Sequence, residues 1–158
     1  MMLLTKRKVI ETNQLLVPQP DWQLNYNQLL PLICFVRETF PTEWMGVNFL
    51  GVSGKEAFPI LATLNSEGIN VDAYWADNAR INENVSIKNQ KEANEIVSVR
   101  QSSNWEGLYF GGTAFKKQRV VDPKDYAAAA SLACHFMDVV TTSGIATGEA
   151  AAISKIEV

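Results

Sequence analysis

Histidine is almost missing from this chain: His135 stands alone among 158 residues. One imidazole excludes a multi-histidine metal centre and a histidine-based triad. His135 sits between Cys134 and Phe136 at the expected end of a helix, where a packed or dipole-facing role outweighs a catalytic one. Cysteine is nearly as scarce. Cys34 and Cys134 lie a hundred positions apart in apolar stretches, which matches neither a disulfide framework nor a zinc spacing and fits a reducing, cytoplasmic setting. A basic surplus is also lacking, since 14 Lys and Arg face 17 Asp and Glu for a net charge of −3. Nucleic acid is therefore not an expected partner. No run approaches the roughly 20 apolar residues of a membrane span, because even the Ala127 to Met137 stretch is broken by Ser131 and His135. The opening Met1-Met2-Leu3-Leu4-Thr5-Lys6-Arg7-Lys8 lacks the long apolar core of a secretory signal, so no targeting segment is expected. A dinucleotide glycine fingerprint is absent too, so the expected chemistry uses no redox cofactor.

What the chain does have is apolar mass and regular punctuation. Its 47% hydrophobic content and four Trp suffice for the core of one domain. Leu29, Leu30, Leu32, Ile33, Val36 and Phe40 recur at helical spacing, which predicts a helix over 26–40 with Pro31 in its first turn or at a kink. Short apolar runs at 44–50, 71–76, 107–110 and 137–141 predict buried strands. Helices are expected between and after them: Ser53 capping 55–64, then 89–102, then 124–136 behind the Asp122-Pro123 start signal, and a last short helix over 147–156. Residues 1–20 read as an arm or one irregular strand around Val9-Ile10 and Leu15-Leu16-Val17, cut off by Pro18 and Pro20. Residues 21–158 then form an α/β domain of parallel strands with outer helices.

In such a domain ligands gather at the carboxyl ends of the strands. Asn48, Asp77, Asn78, Gly111, Gly112, Lys116, Thr141, Thr142, Ser143 and Gly144 all fall there. The Met137 to Gly144 run ends a strand in hydroxyls and glycine, a pattern that presents donors to an anion. The same residues also make an ordinary tight turn, and Thr147 and Gly148 fit either role. Lys116 can neutralise a phosphate or form a Schiff base, or it is a solvated loop lysine. Asp77 suits a general base, a metal ligand or, best, an acceptor for Arg80. Asn48 either bonds a ligand or ties strand ends together. Asp72 and Asp138 precede their strands and belong to the opposite, stabilising rim. No metal site is predicted, although carboxylate-bound magnesium stays open. Trp22, Trp44, Trp75 and Trp105 read as core or rim packing.

The stretch Trp105-Glu106-Gly107-Leu108-Tyr109-Phe110-Gly111-Gly112-Thr113-Ala114-Phe115-Lys116, with Met137 to Gly144 and Gly46-Val47-Asn48, resembles the BtpA-like (BtpA/SgcQ) group of TIM-barrel proteins from about Asp21 onward. The resemblance implies an eight-stranded (βα) barrel, and some relatives are linked to photosystem I accumulation. Two departures stand out: Ile145-Ala146 replaces an expected Pro-Gly pair, and Lys117 stands where an aromatic is usual. Four firm strands cover about half of such a barrel. The expected protein is thus a partial (βα) TIM barrel that binds a small phosphorylated or anionic ligand, with Lys116 and Asp77 as its catalytic candidates. A second copy or a partner chain would complete the barrel. The rival expectations are a non-catalytic assembly or stability factor and a non-functional barrel fragment.

Overall fold

The apolar runs do become strands, and they lie side by side. The computed structural model describes residues 8–10, 22–146 and 148–157; the Leu15-Leu16-Val17 and Thr147 expectations fall outside them. The elements are β1 (Lys8–Ile10), α1 (Trp22–Thr39), β2 (Met45–Val47), α2 (Gly54–Ser66), β3 (Ala73–Ala76), α3 (Lys91–Ser103), β4 (Leu108–Gly112), α4 (Tyr126–Ala133), β5 (Val139–Thr141) and α5 (Ile153–Ile156). Strands β2 to β5 form a parallel sheet to which β1 adds an edge, in the consecutive order β1-β2-β3-β4-β5. That order lacks the reversal of a doubly wound sheet. The sheet is open.

Register decides which side chains face the helices. Tyr74 pairs with Tyr109, and Trp75 pairs with Phe110; successive residues point to opposite faces. Tyr74 and Tyr109 are buried in one core with Ile33 of α1, Phe58 and Leu61 of α2, Ile96 of α3 and Ala133 of α4. Helices α1 to α4 thus cover one face. Phe58 is its hub, 5.1 Å from the Tyr109 ring centroid, 6.0 Å from that of Tyr74 and stacked on Trp105 at 5.3 Å. Gly54 permits the close approach of α2 and α3, because a Cβ there would stand 2.8 Å from the Phe58 ring and 2.9 Å from Ile96. The opposite face carries Trp75 and Phe110, stacked at 6.2 Å, with Trp44 edge-on to Phe110 at 6.3 Å. Leu108, two residues before Phe110, remains 39% exposed. Helices α1 to α4 pack on the other face.

The amino ends of the strands are held by one device used twice. Asp72 Oδ2 accepts the Met45 N–H of the preceding strand at 2.8 Å and pairs with Arg37 of α1 at 3.0 Å. Asp138 Oδ2 accepts the Tyr109 N–H at 2.7 Å and pairs with Arg100 of α3 at 2.6 Å. Arg37 adds bonds to the carbonyls of Phe40, Pro41, Glu43 and Asn70. Each aspartate therefore stitches two strands and a helix together, which agrees with its expected stabilising rim.

Several boundaries move. The first helix starts at Trp22, and Pro31 lies inside it. The helix expected over 124–136 is a 3-10 turn at Pro123–Asp125, capped by Asp122 at Lys124 N (3.1 Å), followed by α4, which ends at Ala133. That leaves Cys134 and His135 exposed beyond it, so His135 is not packed. Ser53 caps α2 as expected, in a reciprocal capping box with Glu56. The last helix shrinks to α5 because 149–150 run across Gly144 first.

Candidate functional site

The carboxyl ends of β2, β3, β4 and β5 meet along one edge, and their loops are tied to each other. Asn48 Nδ2 donates to Asp77 Oδ1 at 3.0 Å across the ends of β2 and β3. Asn48 therefore ties strand ends together, and Asp77 takes Asn48 rather than Arg80: no Asp77–Arg80 ion pair forms among the described residues. The reason is local. Arg80 has φ 60°, with its N–H on Asn78 Oδ1 at 2.9 Å, and it lines the adjoining cleft with Glu83 and Arg119 instead. The Asp77 carbonyl accepts from the Gln118 amide, and Ala79 N–H donates to Gly112 O at 3.0 Å.

The two expected anion turns prove to be engaged with each other. Ser143 Oγ accepts the Lys116 N–H at 2.8 Å and donates to Gly144 O at 2.9 Å, while Thr142 Oγ1 donates to Ala114 O at 3.3 Å. Lys155 of α5 reaches back to donate to Ala114 O and, at 2.9 Å, to Ser143 O, with its ammonium 5.4 Å from the Tyr126 ring. Burial pushes the Lys155 ammonium pKa below its ordinary value. The glycines serve close approach: a Cβ on Gly112 would strike the Asp77 carbonyl, one on Gly144 would strike the Glu149 carbonyl, and one on Gly111 would come within 2.8 Å of Ala79. The structure thus brings Asn48, Asp77, Asn78, Gly112, Lys116 and 141–144 to one end, and most of their polar groups link loops.

Three polar atoms at this edge stay unpaired. The Nε1 of Trp75 and the Oγ1 atoms of Thr113 and Thr141 are buried without a hydrogen-bond partner. They belong to neighbouring strand ends: Gly112 pairs with Thr141, and the Thr113 N–H donates to Thr141 O at 2.9 Å. Buried polar groups are almost always bonded, so each of these atoms calls for a partner, an ordered water or a ligand group. Thr141 was visible in the sequence as a strand-end hydroxyl. Trp75 and Thr113 carry no sequence signal for this role, because each reads as strand packing.

Beside the edge, a cleft of about 270 Å³ opens between the β3–α3 and β4–α4 loops. Its wall is firm. Gln90, 2% exposed, accepts the Asn82 N–H at 3.0 Å and donates to the carbonyls of Asn82 and Val85. Arg119 grips Glu83 through both carboxylate oxygens and holds its pKa below the ordinary value. Among the described residues no cluster of three His, Cys, Asp or Glu is arranged to hold a metal, and no helix is long and apolar enough to cross a membrane. No protein-family model matches the chain, and neither a curated protein nor a solved structure matches it, so its own residues carry the functional reading.

Proposed function

We propose that the chain is a partial, BtpA-like (βα) barrel that binds a small anionic ligand at the carboxyl ends of β3, β4 and β5. The observation that carries this reading is the pair of orphaned donors Trp75 Nε1 and Thr141 Oγ1, on the same sheet face towards the ends of β3 and β5. A ligand oxyanion accepting from them would recover the desolvation cost of about 1–3 kcal/mol per unsatisfied group. Consecutive parallel strand order supports the barrel reading, because that is the winding of half a (βα) barrel. The Asn48–Asp77 pair stands at the same edge, with a carboxylate suited to acid-base work. Thermal denaturation with a panel of sugar phosphates and small carboxylates tests this. A binder at a hundredfold excess over Kd adds about 2.7 kcal/mol, whereas a chain that shifts with no member of the panel contradicts the proposal.

A second reading rests on the sheet face opposite α1 to α4. Trp44, Trp75, Leu108 and Phe110 form an apolar surface on a parallel sheet, and such sheets are buried on both faces. In this reading a second copy or a partner chain supplies the missing strands, and the chain acts as an assembly factor. Sedimentation velocity separates the cases: a concentration-dependent dimer lost in Phe110→Glu favours self-completion, and a strict monomer at all concentrations opposes it.

A further inference from the structure

The segment 148–157 is fastened to the rest of the chain at few points. We infer that it is a hinged strap over the β4 and β5 loops, latched by the Lys155 ammonium, which opens about Gly148 while the sheet stays folded.

Its own packing is too slight to hold it. Helix α5 is a single turn, Ile153–Ile156, and isolated helices shorter than about 12 residues are marginal in water. Ile153 and Ile156 are 70% and 63% exposed, so the two large apolar side chains of this turn bury little surface. The backbone bonds of the turn, Lys155 N–H to Ala152 O and Glu157 N–H to Ile153 O, stay within the segment.

One side chain fastens it. Among the described residues, the hydrogen bonds from 150–157 to the rest of the chain all come from the Lys155 ammonium, which donates to Ala114 O after β4 and to Ser143 O after β5 beside the Tyr126 ring of α4. The latch therefore joins three elements. At the other end of the strap Gly148 holds φ 86°, with nothing within 4 Å of where a Cβ would stand, which makes it an unobstructed pivot. Between the two, 149–150 rest on buried Gly144, where a Cβ would strike the Glu149 carbonyl. Thr141 Oγ1, three residues before that seat, is sealed from solvent in this closed state, so opening is the movement that the binding reading needs. The strap itself does not rest on that reading.

Backbone amide NMR relaxation of the wild type and Lys155→Met tests the inference. Millisecond exchange is expected in the wild type at 148–157 and not at 108–112. Lys155→Met keeps the length of the side chain and removes its donors, so order parameters at 150–157 are expected to fall from about 0.85 to below about 0.6, with those of β4 and β5 unchanged. Order retained at 150–157 in the variant overturns the latch. Order lost in β4 and β5 as well overturns the strap, because the segment then belongs to the stability of the sheet. A wild type without exchange at 148–157 overturns the pivot. Titration of Lys155→Met with lactate separates this inference from the binding reading: an opened strap with no lactate response supports the strap and counts against binding alone.

Discussion

Two neighbouring hydroxyls should respond to removal with opposite signs. Thr141 Oγ1 is buried with no partner, whereas Ser143 Oγ, two residues on, accepts the Lys116 N–H at 2.8 Å and donates to Gly144 O. Thr141→Val keeps the side-chain volume, removes a hydroxyl that costs about 1–3 kcal/mol unsatisfied, and places a β-branched apolar residue in strand β5. The free chain should gain about 1 kcal/mol, roughly 2–4 °C in Tm for a domain of this size. Ser143→Ala instead strands the Lys116 N–H and unties the β4 loop from the β5 loop, which should cost about 1–2 kcal/mol. Urea unfolding at unchanged m-value reads both. The orphan reading also requires Thr141→Val to weaken the ligand-induced shift even as the free chain gains stability. If Thr141→Val loses as much stability as Ser143→Ala, that hydroxyl has a partner and the binding edge loses its main support.

Other outcomes follow from the same geometry. Asp72→Ala should destabilise by about 2–3 kcal/mol, since it strands the buried Met45 N–H and removes the Arg37 partner, while Asp72→Asn, which keeps an acceptor, should cost about half as much; urea unfolding checks the order. Phe58→Ala should cost about 3–5 kcal/mol, as it empties the centre of the aromatic core. Arg119 holds the Glu83 carboxyl below its usual pKa of 4.5, so the pair stabilises the fold above pH 4.5 and this contribution fades as pH falls through the lowered folded value. A side-chain NMR titration should find the Glu83 midpoint raised in Arg119→Gln, and an unmoved midpoint would refute the pairing.

Strands were legible because each is a short apolar run between turn residues, and their common direction followed from the helical stretches between them. Asp72 and Asp138 could be assigned to the stabilising end since each precedes its apolar run. Their arginine partners could not be read, as they lie 35 and 38 residues away in sequence. At the other end, the sequence offered Thr142, Ser143 and Lys116 as ligand candidates beside a tight-turn reading, and folding ties Thr142, Ser143 and the Lys116 backbone into loop-to-loop bonds. That outcome depends on the 149–150 crossing over Gly144 and on Lys155 returning to Ala114, which local patterns do not encode. The orphaned Trp75 and Thr113 were hidden for the same reason: an unsatisfied atom is defined by what surrounds it. Arg80 was read as a partner for Asp77 on proximity alone, and its left-handed backbone separates the two.

The central claim is that the strand carboxyl ends, and not the aspartate rim, receive a small anion. An amide chemical-shift map of the wild type titrated with lactate and with inorganic phosphate tests it most directly. Shifts are predicted at 77–80, 112–118 and 141–144. Shifts confined to the neighbourhood of Asp72 and Asp138, or a spectrum that neither anion perturbs, would contradict the account.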